Sequence, residues 1–367
     1  MPIRSLLFAF ATVCICHIAL AAKTAPDALS AALADARPGD TIRISGTHSG
    51  IFVTSVDGTA EAPITIEGDG SAVLTTDSKK LPVLKIQNDH YRVVNIATRG
   101  GEKGIYVTGA HGLLRGVDVS DTQEEGFTFK RSRARYWLVE DCTVRHAGLE
   151  GRYGEGFYVG DATGNWLSDQ ADTPGYITFY NCRTSDTVND GWDIKEGAHH
   201  VKVVNCTADL STSAPLPATS LEFDHTGAYC RADHVQFINF RVQNLRSGRD
   251  LTAVRLFTQK GRDGAIYGSN MDLKKIAAAH IPQGALLYVN ASKMSVRLFD
   301  DYKLADVGAF LADGSAEPET ESAGRFSEMT WPGEGGEILG NRSTQSGAIA
   351  TAPKPPASAA PKVVVIR

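Results

Sequence analysis

A short motif that opens on glycine and then alternates recurs down the middle of the chain. It constrains the fold more than any other feature. It reads Gly104-Ile-Tyr-Val107, Gly126-Phe-Thr-Phe129, Gly156-Phe-Tyr-Val159 and Gly191-Trp-Asp-Ile194, at intervals of 22 to 35 residues. Side chains two apart fall on one face of an extended chain, which is the signature of a strand. A second strand follows each motif: Leu113 to Val119, Tyr136 to Val144, Tyr176 to Arg183 and Val201 to Thr207. A later pair, Leu221-Glu-Phe-Asp224 and Val235 to Val242, continues the series. No helix of useful length interrupts the units. Strands repeated at this period without helical crossovers stack in parallel only by coiling, one turn per repeat. The sequence predicts an all-β chain, a single-stranded right-handed parallel β-helix with coils about 4.8 Å apart.

The second strands share one column. Asn95-Ile96, Gly116-Val117, Asp141-Cys142, Asn181-Cys182, Asn205-Cys206 and Asn239-Phe240 fall at equivalent places. Asn tolerates the left-handed conformation of a turn, so the column reads as a ladder of corners with the following residue pointing inward. Cys142, Cys182 and Cys206 then stack as small buried groups. The favoured reading is free thiols, with a Cys182–Cys206 disulfide left open. The absence of a Cys-x-x-Cys spacing argues against a cysteine metal site.

The ends differ from the middle. Arg4, the apolar run Leu6 to Leu20 and Ala19-Leu20-Ala21 form the pattern of a signal peptide over residues 1–21. The chain is thus expected to be exported, periplasmic or secreted, with no membrane segment after cleavage. Ala25 to Ala36 reads as an amphipathic helix, with Leu29 and Leu33 on one face, capping a β-helix of residues 22–300. Residues 301–347 are expected to pack on the last coils. The Ala- and Pro-rich residues 348–367 are expected to form a disordered tail. The net charge of −5 gives no basic excess for nucleic acid. A monomer is expected.

Aligned on their glycines, the first strands gather charge on the outer face. Glu125, Glu155 and Asp190 precede glycine. Thr128, Tyr158 and Asp193 lie two residues after it, with Glu222 and Arg255 continuing the column. Lys130, Gly160 and Lys195 lie four after it, followed by Asp224. Stacked like charges at strand spacing repel, so a bound cation, most naturally calcium, accounts for the cluster. The competing explanation is an acidic surface patch countered by Lys195 and Arg255. Tyr153, Tyr158 and Trp166 could offer sugar rings an aromatic platform, with Lys130 and Asp224 beside them, whereas Trp192 alternates inward. His199-His200 reads as an ordinary turn.

Two stretches resemble known families. Ala34 to Ile44 together with Ala62-Pro-Ile-Thr-Ile66 looks like the opening of secreted β-helix proteins, including alginate and chondroitin lyases. Gly154-Glu-Gly-Phe-Tyr-Val-Gly160 and Asn189-Asp-Gly-Trp-Asp-Ile194 resemble the calcium site of the ninth polysaccharide-lyase family, the pectate lyases. The resemblance implies Glu155, Asn189, Asp190 and Asp193 as calcium ligands. Asn189 and Glu155 depart from that family's aspartates, and Glu222 stands where the family has its catalytic lysine, so Lys195 or Arg255 would have to replace it. The stretch 95–245 also looks like a broad group of exported bacterial β-helix proteins.

The expected activity is calcium-dependent β-elimination on an acidic, uronate-containing polysaccharide, with Lys195 or Arg255 as base. A glycoside hydrolase working through Asp193 and Glu222 and a non-catalytic carbohydrate-binding solenoid are the alternatives. Product formation separates them.

Overall fold

The computed structural model describes residues 27–211, 226–244, 252–279, 285–290, 295–299, 309–311, 319–331 and 361–367. They form a right-handed parallel β-helix with three sheets. The described strands number twelve in the first sheet, nine in the second and ten in the third, and each sheet runs in chain order except that the last strand of the chain joins the N-terminal edge of the first sheet. The second strands expected from the sequence each prove to be two strands, bent at the Asn column. Gly112–Arg115 and Asp118–Thr122 flank Gly116, and Arg135–Glu140 and Thr143–Ala147 flank Asp141. A coil therefore has three strands, because a closed turn with only two corners would leave no room for a core.

The corner between the first and second sheets has two residues in seven successive coils, from Asn95-Ile96 to Lys275-Ile276. Its first residue is left-handed, with φ of 55° at Asn95, 61° at Gly116, 53° at Asp141, 52° at Asn181 and 54° at Asn205. Its second points inward, and Ile96, Val117, Cys142, Cys182, Cys206 and Phe240 are all buried. The amides continue the ladder, Asn239 Nδ2 donating to Asn205 Oδ1 at 2.8 Å. The cysteines of this column, and Cys230 in the third sheet, are free buried thiols.

A second left-handed column runs along the start of the first-sheet strands and carries rings. His90, His111, Tyr136 and Tyr176 stack in series at 4.7–4.8 Å, and His200 and His234 extend the stack. His199 and His200 thus begin a strand, His199–Val204, rather than lie in an open turn.

The glycines that open five strands of the third sheet, Gly104, Gly126, Gly156, Gly191 and Gly227, are dictated by close approach. A Cβ at Gly156 would lie 2.2 Å from Thr184 Cγ2 and 2.8 Å from the Gly191 carbonyl oxygen. Behind this sheet Phe127, Phe157 and Trp192 stack at 4.9 Å spacings, and Phe179 meets Phe157 edge-on. Trp192 is core, as its alternation requires.

A helix of Ala28–Ala34 covers the N-terminal end. Asp27 Oδ1 accepts from the Leu29 N–H, and Leu29 and Leu33 are buried. Val363–Ile366, expected within the disordered tail, instead form a strand parallel to Thr41–Ile44. Asp40 Oδ1 accepts from the Lys362 N–H at 2.7 Å and anchors it, while Ile366 fills the core edge. On the middle of the first sheet Glu328 and the Met329 carbonyl hold the buried Lys202 ammonium, which lies 4.6 Å from the Trp331 ring. No helix among the described residues is long and apolar enough to cross a membrane, and residues 1–26 lie outside them.

Candidate active site on the third sheet

Three columns of the third sheet carry the charge. The middle residues of its strands are Tyr106, Thr128, Tyr158, Asp193, Tyr229 and Arg255, in direct register. Lys103, Glu125, Glu155, Asp190 and Thr226 precede the glycines, and Lys130, Gly160, Lys195 and Arg231 follow the strands. The coil after Asp193 is Gly227-Ala-Tyr-Cys230, so Tyr229, and not Glu222, stands beside Asp193. The reason is again the glycine. A Cβ at position 227 would lie 2.2 Å from Val242 Cγ2, and the Leu221–Asp224 stretch has no glycine to offer. Glu222 and Asp224 lie outside the described residues. Arg255 is a further coil away, its guanidinium 5.0 Å from the Tyr229 ring, and is not brought to Asp193.

What the fold does assemble is a row of alternating charge around one phenol. Lys130 and Lys195, from the coils on either side, each place Nζ 4.9 Å from the centre of the Tyr158 ring. Gly160, with φ of 93°, leaves the gap between them. A Cβ there would lie 3.0 Å from Lys195 Cβ. Lys195 pairs with Asp193 Oδ2. Arg231 donates to Asp193 Oδ1 at 2.8 Å and faces Glu196 at 3.3 Å. Lys130 pairs with Asp161 at 3.1 Å. The carboxylates are buried more deeply than the cations. Asp193 is 2% exposed, and the side chains of Lys195, Arg231 and Lys130 are 11%, 12% and 15% exposed.

The electrostatics follow from this burial. Desolvation, with Asp193 and Glu125 nearby, holds the Tyr158 phenol well above its ordinary value, so it stays protonated. Burial opposes the charge of Arg231, but Asp193, Tyr229 and Glu196 outweigh it and keep the guanidinium charged. Behind the row, burial pushes Glu155 up to about 7, with Glu125 and Asp193 adding to the effect. Asp190 is pushed up to about 8 by burial and by Asp193 and Glu155.

The four residues expected to hold calcium do lie together, but as packed they do not make a calcium cage. Both Asp193 oxygens face cations. Asp190 Oδ1 accepts from the Thr226 N–H and hydroxyl, both at 2.8 Å. Asn189 turns its amide nitrogen, a donor, towards Glu155 Oε1 at 3.3 Å and the Arg152 carbonyl at 3.2 Å. Among the described residues no three His, Cys, Asp or Glu side chains converge on a metal position.

The aromatic platform also changes. Trp166 is buried, donates from Nε1 to the Asp161 carbonyl at 2.9 Å and meets Tyr267 edge-on. It belongs to a wall rather than to an open face. Tyr153 is 37% exposed, under the Arg152 guanidinium. Sequence reasoning missed Arg231, Glu196 and Asp161. The signal for Arg231 was present: Gly227-Ala-Tyr-Cys-Arg231 repeats the glycine, alternation and terminal cation of Gly126 to Lys130 and Gly191 to Lys195.

No protein-family pattern matches the chain, and no curated protein matches it. Solved structures do. An alginate lyase from Paenibacillus sp. str. FPU-7 superposes with a TM-score of 0.65 and 22% identity, over 80% of this chain and 95% of that one. A pectate lyase follows at 0.53 and 14% identity, over 83% and 76% of the two chains. A rhamnogalacturonan lyase gives 0.53 and 13% identity, over 81% and 82%. At these identities the likeness is one of fold. The chain shares the β-helix of polysaccharide lyases, and fold alone does not fix chemistry.

Proposed function

We propose that the chain is an exported polysaccharide-active protein that cleaves a uronate-containing glycan by β-elimination. The observation that carries this reading is the Tyr158 phenol set between two lysines, beside an arginine that shares a carboxylate with one of them. The fold shared with lyases acting on acidic glycans supports it.

Elimination needs positive charge at the uronate carboxylate, a base for the C5 proton and an acid for the leaving oxygen. Arg231 and Lys130 supply the charge, which makes the C5 proton more acidic. Lys195 Nζ takes that proton, its ammonium having first passed one proton to solvent. The C4–C5 double bond forms as the C4–O4 bond breaks, and O4 leaves with the electron pair. Tyr158, kept as a phenol by its surroundings, donates the proton to O4. No step runs through calcium, because the cations stand where its charge was expected.

Ultraviolet absorbance of the unsaturated uronate product tests this on alginate, pectate and glycosaminoglycans. Absorbance should rise with calcium or chelator present, and Tyr158→Phe and Lys195→Ala should each lower the rate about 100-fold or more. A rise restored only by added calcium would return the site to the calcium reading. New reducing ends without absorbance would mean hydrolysis. Neither signal from folded protein would leave a binding solenoid.

A further inference from the structure

The charged row does not end at Arg231. Glu196, 2% exposed, reaches Arg231 Nε through Oε2 at 3.3 Å and accepts from the Thr163 N–H through Oε1 at 2.6 Å. Thr163 begins a short 3-10 turn, Thr163–Asn165, in the loop between the third and first sheets. That loop is held from the far side by a hairpin pairing Gln259–Lys260 with Ile266–Tyr267. Arg262 of the hairpin donates to Asp169 at 2.8 Å and to the Trp166 carbonyl at 3.1 Å, and its N–H donates to Thr163 Oγ1 at 3.2 Å. The same loop begins at Asp161, whose carboxylate holds Lys130 and whose carbonyl accepts from Trp166. The contacts close a ring: Asp161, Lys130, Tyr158, Lys195, Asp193, Arg231, Glu196, Thr163, Arg262, Trp166 and back to Asp161.

We propose that Glu196 is a positioning residue, which fixes Arg231 against Asp193 and ties the charged row to the wall built by the 161–169 loop and the hairpin. This rests on the elimination reading. Arg231 carries donors in a planar fork. Arg231 Nε faces Glu196 Oε2 at 3.3 Å as an ion pair without a hydrogen bond, and Nη2 donates to Asp193 Oδ1, which leaves Asp193 Oδ2 to Lys195. Without Glu196 the fork is free to take both Asp193 oxygens, and Lys195 loses its anchor. The wall contributes through the other oxygen, because Thr163 donates its N–H to Glu196 and accepts at Oγ1 from the Arg262 N–H.

Two substitutions separate these roles. Glu196→Gln keeps an oxygen for the Thr163 N–H and removes the charge facing Arg231. Glu196→Ala removes both. Steady-state elimination kinetics on the preferred polyuronide should show kcat down about tenfold with KM within about twofold for Glu196→Gln, the mark of an interaction used in the transition state. Glu196→Ala should lower kcat similarly and raise KM several-fold as the wall loosens. Glu196→Asp should recover part of the kcat lost in Glu196→Gln. Hydrogen exchange of the Thr163 amide reads the tie without turnover. It should quicken about tenfold or more in Glu196→Ala and stay near wild type in Glu196→Gln.

Unchanged kcat and KM in Glu196→Gln, with the wild type active, would overturn the positioning role while leaving the elimination reading intact. Equal exchange in all variants would overturn the tie to the wall. A wild type that makes no unsaturated product would remove the elimination reading and the kinetic role with it.

Discussion

Asp193→Asn preserves the shape of a buried side chain and removes the charge that Lys195 and Arg231 share. At the 2.8 Å separation of the Arg231 contact, an effective dielectric of about 20 gives a gross attraction of about 6 kcal/mol. Desolvation of both ions offsets much of it. Removing one partner of a buried pair leaves the other charge uncompensated, at about 3–5 kcal/mol. Arg231 keeps Glu196, and Lys195 keeps the face of Tyr158, so the lower end, about 3 kcal/mol, is expected. Lys195→Met alone should cost less, because Asp193 retains Arg231. The double variant should then cost less than the sum of the two, with a coupling of about 2 kcal/mol. Urea unfolding of the four proteins measures the cycle. Hydrogen exchange at the Trp192 and Ile194 amides reads the same coil, since a solenoid can open in parts. Additive costs, or an Asp193→Asn protein within about 0.5 kcal/mol of wild type, would refute the account of the row as a coupled ion network.

The buried carboxylates behind the row give a pH signature. Glu155 and Asp190 have folded values raised to about 7 and about 8. The folded chain therefore holds protons that the unfolded chain releases. Their stabilising contribution is full below about pH 4 and is lost as pH rises through about 7 and 8. Glu155→Gln combined with Asp190→Asn should flatten the decline in urea midpoint between about pH 5 and 8, and an unchanged slope would count against it. In the core, Phe157 lies fully buried between Phe127 and Trp192. Phe157→Ala should cost about 3–5 kcal/mol by urea unfolding, and a cost under about 1 kcal/mol would show that the neighbouring coils collapse into the gap.

The scaffold was legible in the sequence because a coil repeats its constraints. The Asn column announces left-handed corners one residue at a time, and Gly104, Gly126, Gly156, Gly191 and Gly227 announce close approach in the third sheet. The split of the second strands at that corner was harder to see, since alternation runs on through Asp141-Cys142 without a break in polarity. The site was half legible. Glu155, Asp190, Asp193 and Lys195 fall in one register, but charge alone does not say whether a carboxylate faces a metal or another side chain. That depended on Arg231, hidden because Leu221-Glu-Phe-Asp224 imitates the alternation of the next coil without its glycine. Trp166 read as a sugar platform because an aromatic in a loop carries no mark of whether its faces are covered. Its partner Tyr267 lies about a hundred residues away.

The two-residue corner between the first and second sheets, repeated through seven coils, divides the molecule into parts that tolerate change differently. An added residue there would turn the next strand's core side chains outward and break a ladder shared with the coils above and below. The connections bordering the third sheet are under no such restraint. Those leading on to the first sheet range from two residues, 231–232, to fifteen, 160–174. Insertions are thus channelled to the rims of the sheet that carries the charged row. Such a molecule can acquire a new groove shape by lengthening one loop at a time, while the rod beneath keeps its dimensions.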